Sequence, residues 1–120
     1  MGCYAALAVL DILEEPDFLP HVREMAGIFK DGLAGLRERY PRVLLEARQR
    51  GLMMGLKMAN EFCGPLMTVA GFQHGILTIY ANNDTSVSQI MPPLIIEKTE
   101  ALQVLERLDA MLAWLDEVTS

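Results

Sequence analysis

Partway along this chain the spacing of apolar residues changes, and the change divides it. From Phe18 to Tyr40, the residues Leu19, Val22, Met25, Ile28 or Phe29, Leu33 and Leu36 recur every three or four positions. That repeat lines one face of an α-helix. Pro41 ends the helix, and Gly27, Gly32 and Gly35 weaken it slightly. Ahead of it, residues 3–14 are rich in alanine and leucine with no breaker, and Glu14-Glu15-Pro16 closes a first helix. Proline disfavours helical geometry in the residue before it.

After Pro41 the period shortens. "VLLEARQRGLMMGLKMA", Val43 to Ala59, holds short apolar runs broken by Gly51 and Gly55, which predicts two strands with a bend or bulge between them. "GPLMTVAGFQHG" predicts a short helix, with Pro65 in its first turn and Gly75 as its stop. "ILTIYA" reads as a β-rich run and "NNDTS" as a polar loop, followed by "VSQIM", a strand ended by Pro92-Pro93. A last helix starts at about Thr99, with Leu102, Leu105, Leu108, Leu112 and Leu115 on one face. The order lacks strict βαβ alternation, so the expected class is α+β: one domain over residues 1–120, with a small, largely antiparallel sheet covered by helices.

Composition narrows the partners. Ten basic against 16 acidic residues leave a formal charge of -6 and no basic stripe, which disfavours nucleic acid and anionic membrane surfaces. Hydrophobic content of 52% with eight methionines is high for a chain of 120 residues, and predicts apolar surface kept for a partner, as in a dimer or a piece of something larger. The first residues, "MGCYAALAVLDIL", enter helix-like sequence at once, as a chain cut from a longer protein would. They lack the basic region of a signal peptide, and Ala6 stands where N-myristoylation requires Ser or Thr. The expected location is cytoplasmic.

Catalytic constellations are scarce. Cys3 and Cys63 lack metal-ligand spacing and are expected as buried, reduced thiols. His21 and His74 lie on a helix face and at a helix end, where solvated or capping roles are the ordinary expectation, against general base or metal ligand. Lys30 and Lys98 read as solvated; Lys57 falls in a strand whose alternation could turn it inward, with no neighbouring aspartate or phosphate loop in the sequence. No Walker loop, HExxH, GxGxxG or serine elbow occurs. Met53, Met54, Met58, Met67 and Met91 read as adaptable filler of a core or subunit interface, or as a wall beside a substrate.

Three segments, taken in order, carry a resemblance. "CYAALAVLDILEE" resembles the helix after the "GGNPLA" turn of class III, pyridoxal-phosphate-dependent aminotransferases; "EARQRGLMMGLKM" looks like their "VRGRGLMLGIEL" strand pair; and "SVSQIMPPLIIEKTEALQVLERLDAML" is similar to their C-terminal "NVIRLLPPLVITEEEIDEALEILDEAL". The resemblance spans the whole chain. It implies the C-terminal small domain of such an enzyme, of the ornithine, acetylornithine, 4-aminobutyrate or diamine type. In the family the larger domain carries the Schiff-base lysine and most cofactor contacts, so the resemblance implies pyridoxal phosphate in the full-length parent and none on this fragment. The implied partners are the missing large domain, a second copy in a homodimer, and a small amine or amino-acid substrate.

Two positions depart from the family pattern. Arg48 and Gly51 match its "RGxGLM" motif, but Gln49 replaces the first glycine, so the bend must be made differently. Three residues before Pro-Pro, many members have an arginine that grips the substrate carboxylate; here the residue is Gln89, the expected substrate-binding position. An amide donates hydrogen bonds without neutralising charge, which implies a donor lacking a carboxylate at that end. No catalytic residue and no metal ligand is expected in this chain. The competing reading is a non-catalytic dimerisation or interaction module that kept the fold.

Overall fold

The computed structural model describes residues 1–119. Four helices and four strands follow one another as α1 (Gly2–Leu13), α2 (Phe18–Arg39), β1 (Leu44–Arg50), β2 (Met53–Met58), α3 (Cys63–His74), β3 (Ile79–Ala81), β4 (Asp84–Ile90) and α4 (Lys98–Thr119). The strands form one sheet in the order β1-β2-β4-β3, antiparallel throughout. This is the α+β architecture that the spacing predicts.

Helices α2, α3 and α4 cover one face of the sheet, and the core lies between. Met25, Phe29, Leu33 and Leu36 of α2 meet Met54, Leu56 and Met58 of β2, Met67 and Ala70 of α3, and Leu108, Met111, Leu112 and Leu115 of α4. Each such leucine, fully withdrawn from water, stabilises the fold by about 2 to 3 kcal/mol. On α2 the predicted stripe is the buried one, except that Leu19 at its start is exposed. On α4 the stripe is rotated: Leu102 is exposed, while Ala101 and Met111 take inward positions. Gly32 is a packing residue, because a Cβ there would come within 2.4 Å of Leu105 on α4. The glycine that weakens α2 in isolation lets the two long helices meet.

The β1–β2 hairpin turns through two residues, Gly51 and Leu52, flanked by the Arg50–Met53 pair. Gly51 has φ +59, and no other residue type has positive φ among the described residues, as in a type II′ hairpin turn. The predicted bulge lies elsewhere, between Leu44 and Glu46. Gln49, at the motif's missing glycine, keeps ordinary strand geometry opposite Met54. Gly75 ends α3 with φ +81, as its position predicts.

Two segments differ from expectation. "ILTIYA" pairs only over Ile79–Ala81, and β4 starts at Asp84, inside the expected polar loop. Helix α1 forms as predicted but buries no residue, and Cys3 on it is exposed rather than buried.

Candidate functional site

Alternation on β2 assigns its residues to two faces. Met54, Leu56 and Met58 enter the core, so Met53, Gly55 and Lys57 point the other way. Gly55 pairs with Arg48 on β1 and with Gln89 on β4, and Gln89 pairs in turn with Ile79 on β3. Residues opposite one another in a ladder share a face, so Arg48, Gly55, Gln89 and Ile79 form one row across the sheet, on the side without helices.

Arg48, Gly55 and Gln89 of this row floor a shallow trough of about 410 Å³, with Met53, Val87 and Met91 beside them. Gln89 is half-buried, and its backbone carbonyl accepts from the Thr78 hydroxyl at 2.5 Å. A second, smaller recess on its other side, about 310 Å³, is lined by Leu77, Thr78 and Ile79. The methionines divide between the two faces of the sheet: Met54, Met58 and Met67 fill the core, while Met53 and Met91, 66% and 60% exposed, border the trough.

Gln49 behaves unlike Gln89. Its amide nitrogen donates to the carbonyls of Ala26 at 2.8 Å and Gly51 at 3.0 Å, tying the hairpin to α2. Arg48 is exposed on the trough side, and its Nε lies 3.4 Å from Glu46 Oε2.

Lys57 also projects onto the open face, and the expectation that no aspartate accompanies it is overturned. Its ammonium donates to Asp84 Oδ2 at 3.0 Å and to Ser86 Oγ at 2.5 Å. Asp84 lies 27 residues away in sequence and reaches Lys57 only because β4 pairs with β2. Its carboxylate also accepts from the Ser86 N–H and hydroxyl. Those Ser86 hydrogen bonds first, and the Lys57 ammonium second, pull the Asp84 carboxyl down from 3.8 to about 2.

The histidines serve the backbone. His21 Nε2 donates to the Ile96 carbonyl at 2.7 Å, fastening the start of α2 to the segment after Pro92-Pro93, and His74 Nδ1 donates to Ala70 O at 2.7 Å. Cys63 is buried beside Asn60. Away from the trough, Asp109 on α4 accepts from Arg39 at 2.5 Å and from the Tyr40 hydroxyl; that second bond holds the phenol above its ordinary 10.0. Among the described residues, no three His, Cys, Asp or Glu side chains gather closely enough to hold a metal ion, and no helix is long and apolar enough to cross a membrane.

The domain is thus a small antiparallel sheet, covered by helices on one side and bearing a mixed polar and methionine trough on the other. The aminotransferase class-III family matches residues 1–112, and the chain belongs to that family. It is 42% identical over 108 residues to an uncharacterized aminotransferase of Archaeoglobus fulgidus, a match covering 90% of this chain and 25% of that protein. It is 38% identical over 106 residues to the acetylornithine aminotransferase of Agrobacterium fabrum, covering 88% of this chain and 26% of that one. The chain thus spans about a quarter of the length of these relatives.

Solved structures agree on the fold. The N-acetylornithine aminotransferase of Stenotrophomonas maltophilia superposes with TM-score 0.81 at 29% identity, over 94% of this chain and 31% of that one. The taurine:2-oxoglutarate aminotransferase of Bifidobacterium kashiwanohense, solved with PLP and glutamate, gives 0.83 at 28% identity, over 96% and 28%.

Proposed function

We propose that this chain is the C-terminal small domain of a pyridoxal-phosphate-dependent aminotransferase that moves an amino group from an amine or amino acid to a 2-oxo acid. Its open sheet face forms the substrate-side wall, and Gln89 lines the donor pocket. The family match over residues 1–112 carries this reading, and the likeness of "SVSQIMPPLII" to the family's last strand and Pro-Pro segment supports the C-terminal placement. The match does not favour a module that lost its chemistry.

The residues in hand do not by themselves fit a cofactor holder. Lys57 is committed to Asp84 and Ser86, and Lys30 and Lys98 are exposed on helices. The cofactor's grip therefore belongs to a large domain of the same protein, and the working enzyme is a cytoplasmic homodimer. What this chain contributes is shape and hydrogen bonding: a flat floor at Gly55, thioether walls at Met53 and Met91, and the amide of Gln89. Methionine walls adapt to a ligand's stem, while an amide fixes its polar end.

The test is Gln89→Arg in the full-length enzyme, assayed with putrescine and ornithine as donors. A guanidinium in the pocket raises the ornithine-to-putrescine ratio of kcat/KM by about tenfold, the range of a charged over a neutral hydrogen bond. An unchanged ratio would remove Gln89 from the pocket.

A further inference from the structure

We infer that the free edge of β1 is a docking site for an extended, acidic polypeptide segment of another protein, which pairs with β1 as an added strand and sets its carboxylates against Arg23 and Lys30 of α2. The site lies on a different part of the surface from the trough and does not depend on the reaction proposed above.

The sheet has two edges, and they differ. β3 is three residues long, a blunted edge, whereas β1 runs for seven, from Leu44 to Arg50. In a two-residue hairpin the flanking pair, here Arg50 and Met53, exchanges both of its hydrogen bonds, and every second pair repeats this. Arg48 and Arg50 therefore direct their backbone groups to β2, and Ala47 and Gln49 direct theirs to the open edge. Among the described residues, no loop or helix backbone bonds to either of them. An unpaired edge of this kind is a template for another strand.

Charge decides the partner. The total of -6 is unevenly spread: seven of the ten basic residues and only four of the 16 acidic ones stand between Arg23 and Arg50. Overall composition hides the basic stripe that results. Arg23, Lys30 and Arg37 follow one another along α2 at seven-residue steps, two helical turns or about 10 Å each. The ion pairs among the described residues engage Arg39, Arg42, Arg48 and Lys57, and none of these three.

Helix α2 runs back along β1, and a recess of about 440 Å³ opens between them. Arg23, Gly27 and Lys30 line its helical side, Ala47, Gln49 and Gly51 its strand side, and no carboxylate lines it. Gly27 keeps the helical wall low, since even a Cβ there would meet nothing within 4 Å. Arg37 borders a second recess further along, which Glu38 shares, so the first holds the stronger positive field. A strand laid along the edge carries its side chains on alternate faces, about 7 Å apart on each. Glutamates at every second position thus meet the long, flexible side chains of Arg23 and Lys30. Backbone pairing supplies affinity, and the cations select an acidic sequence.

The experiment is fluorescence anisotropy on the full-length protein at low salt, with a labelled peptide of about eight residues alternating glutamate and threonine. The peptide is expected to bind saturably, and a lysine–threonine counterpart not to bind. Its Kd is expected to rise about tenfold or more in the double variant Arg23→Gln, Lys30→Gln, and by a similar factor when every peptide amide is N-methylated. Both side chains are exposed, so the variant keeps its fold, checked by its melting curve, and the N-methylated arm needs no variant. Absence of saturable binding up to about 1 mM peptide would overturn the site. So would a double variant within about twofold of wild type, which takes the cations out of it. An N-methylated peptide that binds within about twofold of the original, or tripolyphosphate displacing the label more effectively than unlabelled peptide does, would replace strand pairing with a diffuse anion site and overturn it as well.

Discussion

Lys57 and Asp84 show how one residue's alternation decides its chemistry. Between buried Leu56 and Met58, Lys57 turns to the open face, and there the Asp84 carboxylate waits with Ser86. The folded Asp84 titrates at about 2 against an ordinary 3.8, so the unfolded chain takes up the proton first. Its contribution to stability is complete above about pH 4 and is lost as pH falls toward about 2. Urea midpoints measured across that window should fall more steeply in wild type than in Asp84→Asn, which keeps an acceptor but does not titrate. Parallel curves would clear Asp84 of the effect. Position 89 as a pocket candidate was legible from its place before Pro92-Pro93. Its neighbours were not: Arg48 is 41 positions upstream, and only the ladder register puts it in the same row.

At the scale of elements, what the spacing predicts best is what packs most. Helix α2 matches its stripe from Met25 on and α4 from Leu108 on, because apolar burial dominates their placement. Short strands are set by pairing, which a local pattern does not contain. Thus "ILTIYA" yields only three paired residues, because Ile76 and Leu77 leave the left-handed turn at Gly75 without a partner strand, and Thr78 spends its hydroxyl on the Gln89 carbonyl at 2.5 Å. Conversely β4 gains Asp84 to Ser86 because Asp84 bridges its own strand and Lys57. Helix α1 is the opposite case, regular yet with no buried residue and with Tyr4, Leu7 and Leu10 exposed. Deleting residues 1–12 from the isolated chain should cost less than about 1 kcal/mol in urea unfolding, the scale of surface changes. A loss of several kcal/mol would mean that α1 packs on this domain.

For the molecule as a whole, the sequence made the fold class and the layer order readable, since one change of period separates the helical half from the sheet. The row across the open face was not readable, because only the ladder register assembles it. The isolated chain mixed with pyridoxal phosphate should give no stoichiometric Schiff-base absorbance, because Lys57 is already engaged on two sides. A full band that disappears in Lys57→Ala would overturn the structural role assigned to that lysine. Strand β2 carries the widest consequence. Its even positions, Met54, Leu56 and Met58, hold the core together, while its odd positions, Met53, Gly55 and Lys57, face outward. Core packing and the make-up of the open face are thus written in separate letters of one short word. A lineage can respell the odd letters, and with them the surface it offers, without first having to find a compensating change in the core.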